Sequence, residues 1–77
     1  MAVGFVLINA APMYEHEVYM ILCRNERIKE VTPLFGEYDL IVKIDSDDFQ
    51  SIGDIVVNDI RSLNGVIDTK TLTGTKF

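Results

Sequence analysis

The first ten residues carry an apolar pattern unlike that of an ordinary surface strand. Residues 3–10 are rich in β-branched and aromatic side chains and are soon followed by a proline, which predicts a β-strand. Successive side chains of a strand point to opposite faces, so Phe5 and Leu7 share one face while Val6 and Ile8 share the other. An antiparallel strand that is apolar on both faces is covered on both, so the sequence predicts packing partners on each side.

Two later segments repeat apolar side chains at helical spacing. The first follows Pro12, which is tolerated in the first turn of a helix, and ends at the charged stretch 24–27. The second is predicted to begin with Ser46 as its N-cap and to end at Asn64-Gly65, a left-handed stop signal. The apolar positions of the two predicted helices are Tyr14, Val18, Ile21 and Leu22, then Phe49, Ile52, Val56, Ile60 and Leu63.

Three further strands complete the pattern, over residues 28–35, 38–45 and 66–73. Pro33 cannot donate a ladder hydrogen bond, which places the first of them at a sheet edge, and a Gly-Glu pair forms the tight turn to the next. The order β-α-β-β-α-β predicts an α+β, ferredoxin-like sandwich, in which an antiparallel four-stranded sheet carries both helices on one face. The other face keeps apolar groups of the first strand. We therefore expect a second subunit to cover it, giving a homodimer of the dimeric α/β barrel type.

The size of the chain supports the same expectation. With 77 residues it forms one domain, residues 1–77, whose hydrophobic fraction of 48% is too high for disorder. Folds this small usually need a disulfide, a metal or a partner subunit. Cys23 is the single cysteine and His16 the single histidine, so neither an intrachain disulfide nor a Cys/His zinc site can form. Association with another subunit is therefore the remaining way to stabilise a fold of this size.

Charge and hydropathy exclude several classes of function. The net charge is −5, from 12 acidic and 7 basic residues, and the basic residues are scattered rather than clustered as phosphate binding requires. No apolar run approaches the roughly 18 residues of a membrane span, and the N-terminus lacks the basic segment of a signal peptide. We expect a cytoplasmic protein, which suits a lone free thiol, with no direct nucleic-acid or membrane partner.

Residues that could carry catalysis have simpler structural interpretations. His16 is predicted to face solvent, and Cys23 has neither a second cysteine nor a base beside it. The acidic run 45–48 lacks the glycine and the downstream glutamate of a calcium loop, and helix capping accounts for it. The sequence therefore predicts no catalytic residue, no metal site and no cofactor.

The turn formed by Gly36, Glu37, Tyr38 and Asp39 offers candidate binding chemistry. As plain structure it is a hairpin turn, in which glycine permits positive φ and the tyrosine packs. As a site, its backbone N–H groups could bind a carboxylate, its aspartate could pair with an ammonium group, and its tyrosine could form an apolar wall or donate its hydroxyl. Those are the groups that a zwitterionic amino acid requires.

Thr69 and Thr71 place two hydroxyl groups on one face of the last strand. Threonine is ordinary in strands, so a purely structural interpretation is sufficient. Near a ligand, the same hydroxyls would serve as hydrogen-bonding groups.

Three segments stand in a specific order and spacing. They are Ile-Lys-Glu-Val at 28–31, Phe-Gly-Glu-Tyr-Asp-Leu-Ile-Val-Lys at 35–43, and Leu-Asn-Gly-Val at 63–66 followed by Thr-Lys-Thr at 69–71. Together they resemble the effector-binding (RAM) domain of the Lrp/AsnC transcription regulators, and the resemblance covers essentially the whole chain.

The resemblance implies a ferredoxin-like domain that dimerises through its sheets and often assembles further into octamers or similar rings. It also implies that an amino acid or related small metabolite binds at subunit interfaces. The positions that match this binding role are Gly36, Glu37, Tyr38, Asp39, Thr69 and Thr71.

One departure from the usual family pattern affects the expected function. The usual regulator carries an N-terminal helix-turn-helix domain, whereas this sequence starts directly at the first strand, as in the stand-alone members of the family. The DNA-binding role is therefore not carried over. We expect a stand-alone sensing and oligomerisation module that modulates transcription, for example by assembling with full-length regulators of the same family.

Two other functions stay open at this point. One is a structural assembly module without a ligand, because the turn and the threonines also have adequate structural explanations. The other is a small dimeric α+β barrel monooxygenase or isomerase, which has the same element order. Such enzymes commonly line their pocket with His, Asn or Trp; this chain has no Trp, and its histidine is predicted to point outward.

Overall fold

The elements of secondary structure follow the predicted order. A computed structural model describes residues 2–74 of the chain. The strands are β1 (Ala2–Ala10), β2 (Glu30–Pro33), β3 (Leu40–Ser46) and β4 (Val66–Thr73). The helices are α1 (Glu15–Cys23) and α2 (Phe49–Ile55), and α2 continues into a π-helical turn (Val56–Ile60), called the π segment below. The predicted ferredoxin-like α+β fold is confirmed.

The sheet has the strand order β2-β3-β1-β4, and every neighbouring pair is antiparallel. β1 lies in the interior of the sheet, so that Val6 is opposite Val42 on one side and Thr71 on the other. β2 is an edge strand, as Pro33 predicted. β4 forms the opposite edge.

The core lies between the sheet and the helices. Val6 and Ile8 of β1 are fully buried there. They pack with Val42 and Ile44 of β3, Val18 and Leu22 of α1, and Ile52 and Ile60 from the second helical region. A Cβ atom on Gly4 would lie 2.8 Å from Cγ2 of Ile52, so glycine at this position lets α2 approach β1 closely.

The opposite face of β1 carries the second apolar set that the sequence predicted. Val3, Phe5 and Leu7 point to it, alternating with the buried set, and all three are only half-buried. Their neighbours on this face include Ile41 and Leu72. We call these five residues and their surroundings the open face; its coverage by a second subunit stays a prediction.

The first helix begins later than its sequence pattern predicts. Met13 adopts φ = +76°, a left-handed conformation that a right-handed helix cannot contain, so α1 starts at Glu15 rather than near Pro12. Tyr14, predicted on the buried stripe, is thereby left at the N-cap position and exposed.

The N-cap of the second helix was predicted at Ser46, and this is wrong. Ser46 is still paired with Ala2 as the last residue of β3. Asp48 is the N-cap: its backbone is extended, and its Oδ1 accepts the Ser51 N–H at 2.8 Å. This hydrogen bond lowers the pKa of the Asp48 carboxyl.

Two strands are shorter than predicted. β2 covers Glu30–Pro33 rather than 28–35, and β3 starts at Leu40 rather than residue 38. At the turn, the hydrogen bond from the Leu34 N–H to the Asp39 oxygen at 2.8 Å ends the ladder and leaves 35–38 outside it.

Within residues 2–74 neither helix has the length and the apolar character that crossing a membrane requires.

Candidate functional site

The turn between β2 and β3 is open to solvent at its tip. Gly36 has φ = +142°, and no heavy atom beyond Gly36 and its two chain neighbours lies within 4 Å of the position that its Cβ would occupy. Glu37 and the fully exposed Phe35 flank it. A non-glycine residue at position 36 would be strained by its φ angle alone, so the glycine is required by the backbone and leaves the neighbouring amide groups uncovered.

Asp39 connects this turn to the sheet. Its Oδ2 accepts the backbone N–H of Ala10 at 2.8 Å, and its own N–H donates to the Ile8 oxygen at 2.9 Å. One carboxylate oxygen is therefore already engaged in holding the end of β1. The half-buried carboxylate has a second oxygen, Oδ1, as its remaining acceptor for a ligand.

Asp39 also lines a groove of about 490 Å³ beside the first helix, called the α1 groove below. Its apolar wall is formed by Tyr19, Leu34 and Leu40, together with Pro33, and Glu15 and the exposed His16 lie at its rim. A hydrogen bond with the Cys23 thiol is the main cause that raises the pKa of the Tyr19 phenol, so this side chain is neutral at physiological pH.

Tyr38 occupies a different position from its predicted partners. It is half-buried, and it lines neither the α1 groove nor the groove described next. Its predicted role as an apolar wall stays a prediction.

Thr69 and Thr71 lie together, but on the far edge of the sheet. They share the helix-facing side of β4, opposite Ile8 and Val6 of β1 respectively. They line a second groove, of about 340 Å³, between β4 and the π segment, called the β4 groove below. Its remaining lining residues are Val56, Arg61, Val66, Ile67 and Asp68.

A single chain does not bring the two sets of predicted residues into one pocket. Asp39 and Thr69 lie on opposite sides of β1 near Ile8, because the Asp39 N–H donates to the Ile8 oxygen and Thr69 pairs with Ile8 in the β1–β4 ladder. They are separated by two strand spacings, about 10 Å, and they open into different grooves. Within one chain, Asp39 and the two threonines therefore line two separate grooves.

Sequence reasoning missed two residues at these surfaces. Phe35 projects fully from the turn, and Arg61 lines the β4 groove. The apolar pattern of the helices gave no sign of the π segment that positions Arg61. No cluster of three or more His, Cys, Asp or Glu side chains arranged to hold a metal ion is present among residues 2–74.

Comparison with known proteins relates the chain to one family. The family model of the Lrp/AsnC ligand binding domain matches residues 3–75. An uncharacterised HTH-type transcriptional regulator of Pyrococcus horikoshii is 32% identical over 72 residues, which are 90% of this chain and 48% of that protein. The chain thus spans about half the length of this curated relative.

Two solved structures share the fold. The structure of FFRP-DM1 superposes with a TM-score of 0.91 at 31% identity, covering 97% of this chain and 100% of the other. A transcriptional regulator of Neisseria meningitidis, solved as a complex with L-Met, gives a TM-score of 0.85 at 17% identity over 97% of this chain and 50% of its own. The resemblance drawn from the three sequence segments is confirmed.

Proposed function

The chain belongs to the Lrp/AsnC ligand-binding domain family, related to transcription regulators, and we propose that it is an amino-acid-sensing oligomerisation module rather than an enzyme. The observation that carries the proposal is the division of the candidate site into two half-sites, on the turn at Gly36–Asp39 and on β4 at Thr69 and Thr71. Neither half encloses a small molecule by itself. A neighbouring subunit supplies the complementary half.

The open face supplies the contact that builds the dimer. Val3, Phe5 and Leu7 form a half-buried apolar row along its centre, and Leu72 on the adjacent strand is 46% exposed. Burial of apolar surface gains about 25 cal/mol per Å², so a second copy packed on this face stabilises a chain whose own core is small. This contact leaves the turn and the β4 groove free for further dimers to assemble in a ring.

The ligand is a zwitterionic amino acid or a similar small metabolite. Asp39 Oδ1 accepts from its ammonium group, the turn at Gly36 offers backbone N–H groups, and the hydroxyls of Thr69 and Thr71 approach from another subunit. The L-Met complex of the fold relative from Neisseria meningitidis is consistent with a ligand of this class.

Binding between subunits changes assembly through differential affinity. A ligand that contacts residues of two subunits binds the assembled state more tightly than the separated one, so it shifts the population toward assembly. Assembly with full-length regulators of the family would convey this shift to transcription.

Charge placed on the open face tests the dimer. We expect Leu7→Glu to produce a monomer in light scattering, because a carboxylate cannot be buried without a partner in an apolar contact. Met20→Glu is the matched control: it makes a similar apolar-to-acidic change on an exposed position of α1 and should leave the mass unchanged. If Leu7→Glu keeps the mass of the native protein, the open face is not the dimer contact.

A structural assembly module without a ligand is the second candidate, and one observation favours it. Asp39 already holds the Ala10 N–H, so its presence is explained without any ligand. The two functions differ in one result. An oligomer whose thermal stability none of the twenty amino acids changes would favour the structural module over the amino-acid sensor.

A further inference from the structure

The π segment brings two residues to the β4 groove that an α-helix would separate. The Arg61 N–H donates to the Val56 oxygen at 2.8 Å, five residues back. In an α-helix at about 100° per residue, side chains five positions apart point roughly 140° away from each other. The wider π turn makes this angle much smaller, and Val56 and Arg61 both line the β4 groove. Without this turn, the guanidinium would be directed away from Thr69 and Thr71.

Arg61 is the positive charge of this groove. Within residues 2–74 it makes no ion pair, whereas Arg27 is paired with Asp59 at 3.4 Å. The other charged group that lines the groove is Asp68, whose Oδ1 accepts the Thr69 N–H at 2.9 Å. The β4 groove therefore presents one guanidinium group, one carboxylate and two hydroxyl groups.

We propose that Arg61 binds the carboxylate of the amino acid and is the main source of affinity for that end of the ligand. This inference rests on the proposed sensing function and adds the residue that recognises the carboxylate. A planar guanidinium matches a carboxylate in bidentate geometry, and charge-assisted hydrogen bonds are about twice as strong as neutral ones. The backbone N–H groups at Gly36 are neutral donors, so they contribute less than Arg61.

The charges of the groove also define the class of ligand. Asp68 disfavours a second carboxylate on the ligand and favours an ammonium group. A zwitterion with one carboxylate fits this pair of charges better than a dicarboxylate or a simple amine does. Thr69 and Thr71 add hydroxyl groups that can donate to a carboxylate oxygen.

Titration calorimetry of the full chain tests the assignment. The native protein is titrated with each of the twenty L-amino acids, and the tightest one is compared with its amine lacking the carboxylate and with pyruvate and 2-oxobutyrate. Arg61→Gln should weaken the binding of this amino acid about 10- to 100-fold, the range expected for a hydrogen bond to a charged group. Arg61→Lys should lose less affinity, because lysine keeps the positive charge but lacks the planar guanidinium. Arg24→Gln, which removes the same charge at the exposed end of α1, should bind like the native protein.

The amine without the carboxylate separates a direct contact from a structural effect. It should bind weakly to the native protein and equally weakly to Arg61→Gln, because the group that Arg61 recognises is already missing. If Arg61→Gln weakens this amine as much as it weakens the amino acid, the substitution acts on the fold and the assignment is wrong.

The remaining outcomes distinguish this inference from the function on which it rests. If Arg61→Gln binds the amino acid as tightly as the native protein, sensing stands and the Arg61 assignment is overturned. If the native protein binds the 2-oxo acids but none of the amino acids, and Arg61→Gln weakens that binding, Arg61 remains the carboxylate-binding residue and amino-acid sensing is overturned. If it binds none of these probes, both are overturned.

Discussion

Asp39 has two roles in this account, one in the fold and one in the ligand site, and they can be separated by substitution. Its Oδ2 accepts the Ala10 N–H at 2.8 Å in a half-buried position. A hydrogen bond to a charged group contributes about 1.5–3 kcal/mol. The free energy of unfolding of Asp39→Ala should be lower by this amount. Asp39→Asn keeps an oxygen that can accept the same N–H as a neutral group, so it should lose roughly 1 kcal/mol.

These free energies correspond to measurable changes in melting temperature. For a domain of this size, a change of 1 kcal/mol shifts the melting temperature by about 4–8 °C. We therefore expect Asp39→Ala to melt roughly 6–24 °C below the native protein and Asp39→Asn to melt roughly 4–8 °C below it. Circular dichroism at one fixed protein concentration measures this, since the melting temperature of an oligomer depends on concentration.

Ligand affinity gives the second half of the test. Both substitutions remove the negative charge that pairs with the ammonium group, so both should weaken amino-acid binding to a similar extent, despite their different melting temperatures. Melting of Asp39→Ala within 2 °C of the native protein, as an order-of-magnitude threshold, would refute the fold role. Unchanged affinity in Asp39→Asn would refute the ligand role.

Two further predictions concern backbone and capping. Gly65→Ala should lower the free energy of unfolding by about 2–5 kcal/mol, because φ = +100° is strained for alanine and its Cβ would lie 2.7 Å from the Tyr14 ring. Gly53→Ala, with open space around it, should raise the free energy of unfolding by up to about 1 kcal/mol. Chemical denaturation measures both changes. The pKa of Asp48 is lowered by the Ser51 N–H, so its capping stabilisation is present above the carboxyl's ordinary pKa of 3.8 and is lost as the pH falls through the lowered value. The difference in melting temperature between Asp48→Ala and the native protein should therefore shrink on acidification from pH 7, and a difference that stays constant would contradict this.

The fold could be predicted from the sequence because its apolar pattern is consistent along the chain. The alternating apolar residues of β1 identified both sheet faces, and Pro33 identified the edge strand. The exact ends of the elements depend on local hydrogen bonds, which the apolar pattern does not reveal. Ser46 and Asp48 are both good capping residues, and only the length of the β3 ladder decides between them.

The candidate site was less predictable than the fold. The turn at Gly36 was recognisable from its residues, since a glycine beside acidic and aromatic groups marks an open backbone. The structural bond of Asp39 to Ala10 depends on a contact across 29 positions of the chain, which no local pattern contains. Arg61 was missed for a similar reason, because its direction depends on the π turn.

An oligomer of this chain should respond to an amino acid. Light scattering of the purified protein, alone and with each of the twenty amino acids, tests it most directly. The account predicts a mass that is a multiple of the 8.7 kDa chain, with particular amino acids changing that mass or the thermal stability. A monomer of 8.7 kDa under all these conditions would contradict it, because the apolar open face would then have no partner.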